Sequence, residues 1–181
     1  MPDDTPLPPI WLLGSSDYSS ELAAQVGMGY AFAHHFAAYD GVAAMTSYRA
    51  HFKQTGWRET PYAILGVAVV SAETDAEAER LAASMDLNRL LRDRGQYIPL
   101  PSIEEAQAYP YTDADRAAIA RNRSRLFVGS PATVRERLEP MIAECQADEL
   151  MIVSAIYDHE ARKKSYSLMA DAFGLARQEA A

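Results

Sequence analysis

The sequence predicts an α/β chain of successive parallel βα units. Short apolar runs each lead into sequence with helical spacing, the alternation expected of a parallel sheet with crossover helices. The run at 62–70, YAILGVAVV, is apolar at both alternating sets of positions, as in a strand covered on both faces. The 181 residues, 49% hydrophobic and 23% charged, suit one globular domain over 1–181.

In chain order, an acidic, proline-rich tail at 1–9 (MPDDTPLPP) comes first, without the basic and apolar regions of a secretion signal. Residues 10–13 are the first strand. Leu22, Ala23 and Val26 then recur at helical spacing over 21–26, and Gly27 ends that helix. Residues 30–36 read as a buried strand. Over 41–52, Val42, Met45, Tyr48 and Phe52 share one helical face, with Gly56 as the expected C-cap. The strand at 62–70 is followed by Thr74 or Asp75 as the cap of a helix over 76–94.

From 95 to 125 the regularity is lost. Pro99, Pro101 and Pro110 fall in a tyrosine-bearing stretch that reads as an insertion or long loop with a short helix. An apolar run at 126–128 leads to Ser130 as a cap and Pro131 at the first helical position. Val134, Leu138, Met141 and Ile142 are that helix's expected buried face. A strand at 150–156 and an amphipathic helix at 160–173 complete the series.

Composition narrows the function. A net charge of -8 and the lack of a basic stripe exclude a nucleic-acid binder. Cys145 is the only cysteine, which rules out an internal disulfide or a cysteine cluster for zinc; a buried inert thiol in a reducing compartment is expected. No apolar stretch approaches the roughly 20 residues of a membrane helix, so a cytoplasmic location is expected. Walker loop, nucleophile elbow, dinucleotide fingerprint and zinc spacing are all absent, and no metal site is expected.

The stretch GSSDYSS, from Gly14 to Ser20, stands where an apolar strand hands over to a helix. It suits either ordinary capping by Ser16 or Asp17, or an anion site in which small residues let backbone N–H groups and hydroxyls meet a phosphate. SPATVRERL offers the same two readings at Ser130, with capping favoured. Arg121, Arg123 and Arg125 form a basic patch, best read as a solvated loop face. His51 and His159 fall on helix surfaces and are expected to be solvated.

The segments PIWLLGSS, SSELAAQVGMGYAFAHHF, YAILGVAVVSAETDAEAERLA, FVGSPATVRERL and ELMIVSAIYDHEARKKSYSLMADAF resemble the C-terminal half of the bacterial luciferase-like flavin monooxygenases. The likeness is greatest to the single-component luciferase family oxidoreductase subgroup. It implies a TIM barrel of which this chain supplies strands 5 to 8, with the irregular insertion before the last βα unit. It also implies a monooxygenase acting on a small organic substrate with O₂ and reduced FMN, the deazaflavin F420 serving some related members.

Carried onto this chain, the resemblance gives Gly14 the close approach to the cofactor phosphate. Ser15 and Ser16 become strand-end donors and Ser19 a hydroxyl in the first helical turn, with Tyr18 and Ser20 as further members. His34 and His35 become candidates for acid–base work at the end of the next strand, where such barrels gather their catalytic groups. Strand alternation would send one imidazole inward and the other towards the helices, and pocket lining is favoured over catalysis. Where related sequences carry a proline after the HF pair, this chain runs AAYD.

Four strands of an eight-stranded barrel leave two unpaired edges. A second copy in a homodimer, or a complementing N-terminal half-barrel chain, is therefore the expected partner. The alternative reading is a non-catalytic, flavin-binding or oligomerising half-barrel.

Overall fold

The computed structural model describes residues 8–175, so most of the tail expected at 1–9 lies outside the described residues. The fold is mixed α/β with parallel strands, and the chain divides into two units, 8–66 with 141–151 and 67–140 with 152–175.

The first unit begins β1 (Trp11–Gly14), α1 (Asp17–Val26), β2 (Gly29–Ala33) and α2 (Gly41–His51), then enters β3 (Ala63–Ser71). The three strands are parallel, with Leu12 opposite Tyr30 and Ala31 opposite Ile64. Paired residues share a face, so Tyr30, Phe32 and Leu65 lie together on the side that α2 covers. The Tyr48 ring of α2 stands 5.4 Å from that of Tyr30. Gly41 opens α2 because a side chain there would meet the Phe32 ring at 2.8 Å. Asp40 caps this helix, accepting from the Val42 N–H at 2.9 Å, and Gly27 ends α1 at φ 67, where glycine carries no penalty.

Two sequence expectations change in this unit. The strand expected over 30–36 stops at Ala33, where ψ of 75 leads into a 3-10 turn, His34–Phe36, closed by the Ala37 N–H on the His34 carbonyl. The helix expected over 41–52 is found at Gly41–His51, but Gly56 is not its cap. Beyond it the Lys53 N–H binds the Ala24 carbonyl and the Thr55 hydroxyl the Val26 carbonyl, drawing the chain onto the end of α1. Gly56 is a loop residue with open space around it.

The second unit holds the rest of β3, then α3 (Asp75–Asp93), α4 (Ile103–Ala108), α5 (Asp113–Asn122), a 3-10 turn (Arg123–Arg125), β4 (Leu126–Gly129), most of α6 (Pro131–Glu144) and α7 (His159–Ala172). β4 runs parallel to β3, Ala68 opposite Leu126 and Val70 opposite Val128. These four residues form a core with Ala78, Leu81, Ala82 and Met85 of α3. On the opposite face, Arg137 of α6 lies over the Phe127 ring; at the end of β3 the Ser71 N–H donates to the Ser165 hydroxyl of α7. Val134 and Leu138 are buried as expected, whereas Met141 and Ile142 are half-buried. The last strand, β5 (Glu149–Val153), pairs with β3 and exposes alternate residues, Met151 and Val153 among them.

The stretch 95–125 is more regular than its prolines suggest. It contains two helices, each opened by a reciprocal capping box: Ser102 with Glu105 for α4, and Thr112 with Asp115 for α5. Asp115 is nearly buried and pairs with Arg94. Arg123 is not solvated, because its guanidinium binds both oxygens of the buried Asp86 at 2.7 Å and reaches Glu79. Arg125 donates to the Asn122 side chain, while Arg121 is exposed as expected. Among the described residues, no helix is long and apolar enough to cross a membrane.

Tyr48 is the polar tie of the first unit. Its buried hydroxyl donates to the Met28 carbonyl at 2.8 Å and accepts from the Tyr62 N–H at 3.2 Å, linking the segments that enter β2 and β3. Tyr48→Phe keeps the ring but leaves those backbone groups unpaired, so urea denaturation should show a loss of about 1–3 kcal/mol.

Candidate functional site

The candidate site lies where β1 and β2 end in the first unit. Gly14 is opposite Phe32, and only Ser15 and Ser16 separate the strand from α1. The helix therefore folds back directly over the strand end. A Cβ on Gly14 would lie 2.0 Å from Ser19 Oγ and 2.2 Å from Ser19 Cβ, so glycine is what admits the first helical turn.

Capping alone does not account for the hydroxyls. Ser16 occupies the N-cap position in extended conformation, yet its side chain makes no capping hydrogen bond. Asp17 accepts from the adjacent Tyr18 N–H at 2.8 Å. The Ser19 hydroxyl donates to the Ser16 carbonyl at 2.8 Å and stands 3.2 Å from the Tyr30 hydroxyl, which is itself 3.4 Å from the same carbonyl. Burial pushes the Tyr30 phenol above its ordinary pKa, against the opposing pull of its Ser19 bond, so it keeps its proton.

The structure thus gathers Gly14, Ser16 and Ser19, with the half-buried Ser15 on the bend between strand and helix. Tyr18 stands 71% exposed, and Ser20 is buried, its hydroxyl spent on the Asp17 carbonyl. Tyr30 is the member that sequence reasoning missed. The signal was available, since a tyrosine in an apolar strand needs a partner for its hydroxyl.

His34 and His35 both lie in the 3-10 turn, so strand alternation does not govern their direction. The His35 Nδ1 lies 3.3 Å from the Gly66 carbonyl oxygen, and a Cβ on Gly66 would meet its Cε1 at 3.8 Å. That puts the His35 ring on the face shared by Leu13, Ala31, Ala33 and Ile64, opposite the one that α2 covers. Its ring meets Phe36 edge-on at 4.4 Å. Leu13 (69%) and Phe36 (57%) are exposed, giving this strand end an apolar border.

The second glycine–serine turn, at Gly129 and Ser130, has a different occupant. Asp75 accepts from the Ser130 N–H at 2.6 Å. Hydrogen bonds from that N–H, then from the Thr133 and Ser130 hydroxyls, hold the Asp75 carboxyl below its ordinary pKa. The start of α6 therefore already holds an anion, one of the chain's own, which agrees with the capping reading. Elsewhere, His51 and His159 are exposed. Cys145 is buried, its thiol pushed up to about 11 chiefly by burial, and at that value it is an inert side chain.

The family described as luciferase-like monooxygenase matches residues 1–148. A luciferase-like monooxygenase of Escherichia coli strain K12 is 36% identical over 163 residues, covering 90% of this chain and 49% of the relative. The crystal structure of apo-MsnO8 has a TM-score of 0.89 at 37% identity, over 98% of this chain and 54% of that one. The oxygenating constituent of 3,6-diketocamphane monooxygenase from Pseudomonas putida, solved in complex with FMN, shares the fold at a TM-score of 0.53 and 22% identity. It is matched over 91% of this chain and 48% of that one. The chain spans about half the length of the curated relatives it matches.

Two outcomes follow from these turns. Gly14→Ala should destabilise the chain by about 1–3 kcal/mol, measured by chemical denaturation, because the crowded atoms include the Ser19 Cβ. Asp75 has a depressed folded-state pKa, so its contribution is present above the unfolded value, near 3.8, and is lost as pH falls through the lower folded value. Thermal melts below about pH 4 should show wild type losing stability more steeply than Asp75→Asn.

Proposed function

Because the chain belongs to the luciferase-like monooxygenase family, we propose that it forms the part of a flavin-dependent monooxygenase that grips the cofactor's phosphate end. The carrying observation is the turn from Gly14 to Ser19: a strand end with no side chain, an uncommitted cap at Ser16, and the Ser19 hydroxyl beside both.

These residues suit a phosphate. Ser15, Ser16 and Ser19 are small neutral donors, Tyr18 lies in the same turn with its backbone N–H held by Asp17, and a helix N-terminus carries a partial positive charge. FMN is favoured over F420, in keeping with the fold relative solved with FMN. When bound, the flavin supplies the redox chemistry with O₂. This chain's residues bind and orient it. The apolar border of Leu13 and Phe36 excludes water, and His35 lines the same face as a candidate to hold or move a proton at an imidazole nitrogen.

The substrate in this reading is a small organic molecule. The curated relatives are about twice as long as the matched part, and Leu13, Met151 and Val153 stay exposed on strands β1 and β5. In this reading turnover draws on a further half of the fold, with a complementing N-terminal half-barrel chain or a second copy in a homodimer as the proposed partner. The same exposure favours, as a second reading, a non-catalytic flavin-binding half.

Fluorescence titration tests the assignment. FMN should bind, and Ser16→Asp and Ser19→Asp should each weaken it by about tenfold or more, because a carboxylate repels the phosphate. Unchanged affinity in both variants would remove the assignment. Light scattering with and without FMN separates the two readings. A flavin-retaining dimer that oxidises reduced flavin faster than free solution supports the enzyme, and a monomer that does not supports the non-catalytic half.

A further inference from the structure

We infer that Tyr30 is a positioning residue that frees the Ser19 hydroxyl to donate to an anion. The inference rests on the reading of the Gly14 to Ser19 turn as a phosphate site. Ser19 has a single hydroxyl proton, which in this structure is committed to the Ser16 carbonyl at 2.8 Å. A phosphate can be bound by that hydroxyl only if the proton turns outward, and turning it strips a half-buried carbonyl of its donor. The loss of one partner offsets the bond gained.

The Tyr30 hydroxyl removes that conflict. It lies 3.2 Å from Ser19 Oγ and 3.4 Å from the Ser16 carbonyl oxygen, within hydrogen-bonding reach of both acceptors. Before binding, Ser19 donates to Ser16 and Tyr30 donates to Ser19. Afterwards, Tyr30 donates to Ser16 and Ser19 donates to the anion. No covalent bond changes and no backbone group is orphaned. The ring is well placed for this exchange: it is fully buried on β2, between Phe32 at 6.4 Å and Tyr48 at 5.4 Å, so only its O–H has freedom to move.

Titrating both FMN and riboflavin into wild type, Tyr30→Phe, Ser19→Ala and the double variant tests this, because only FMN carries the phosphate. Wild type should prefer FMN. Tyr30→Phe should cut that preference by about three- to tenfold, the worth of one hydrogen bond, with riboflavin affinity unchanged. Ser19→Ala should cut it similarly, and the double variant should lose no more than Ser19→Ala alone. A Tyr30→Phe ratio equal to wild type overturns the role of Tyr30, as does equal loss of both ligands or a loss that adds in full to that of Ser19→Ala. A wild type with no preference for FMN, or with no flavin binding, overturns the phosphate reading itself and Tyr30 with it. The two failures are therefore distinguishable.

Discussion

Parallel neighbours cannot be joined by a tight hairpin, and the chain between β1 and β2 meets that constraint with very little length. One helix of 10 residues makes the crossover, with two residues before it and two after. The helix must therefore start almost on top of one strand end and stop just short of the next strand. Gly14 and Gly27 stand at those two places, the first for want of room beside Ser19 and the second for its left-handed backbone. The serines and the Tyr30 hydroxyl come together as a result of that economy. The geometry of the candidate site is thus the geometry of the crossover.

The strand-to-helix turns at Gly14 and Gly129 show how similar sequence can serve two ends. Both have glycine, then serine, then a helix. At Ser130 the cap residue's own N–H is met by Asp75 from the start of α3, so a structural carboxylate ties two helix beginnings together. At the start of α1 the carboxylate of Asp17 sits on the neighbouring Tyr18 N–H, and the Ser16 cap hydroxyl remains uncommitted. A ligand phosphate finds the cap residue's N–H occupied in the first case and a cap hydroxyl still to be engaged in the second.

Much of this was legible in the sequence because local chemistry decides it. The alternation of strands and helices, Thr74 as a cap, Pro131 at a first turn and Gly27 at a helix end each follow from one residue and its neighbours. The failures are tertiary. Nothing local to His34 announces a 3-10 turn, and Gly56 lost its capping role because Lys53 and Thr55 bind the far end of α1. The capping boxes at Ser102 and Thr112 are local signals too, set among Pro99, Pro101 and Pro110. In the site, the run of serines was visible from the start. Tyr30 was not, because its hydroxyl meets Ser19 only after β1 and β2 have paired.

One buried atom gives the chain an internal clock. Cys145 is the single sulfhydryl, fully enclosed in the first unit just beyond the end of α6 and poorly ionised at neutral pH. A thiol reagent can reach it only when its surroundings open, so the speed of alkylation, set against that of a free thiol, reports how readily they open. Because every modified molecule carries its label at one position, such kinetics compare the breathing of this segment between states of the protein without an introduced probe.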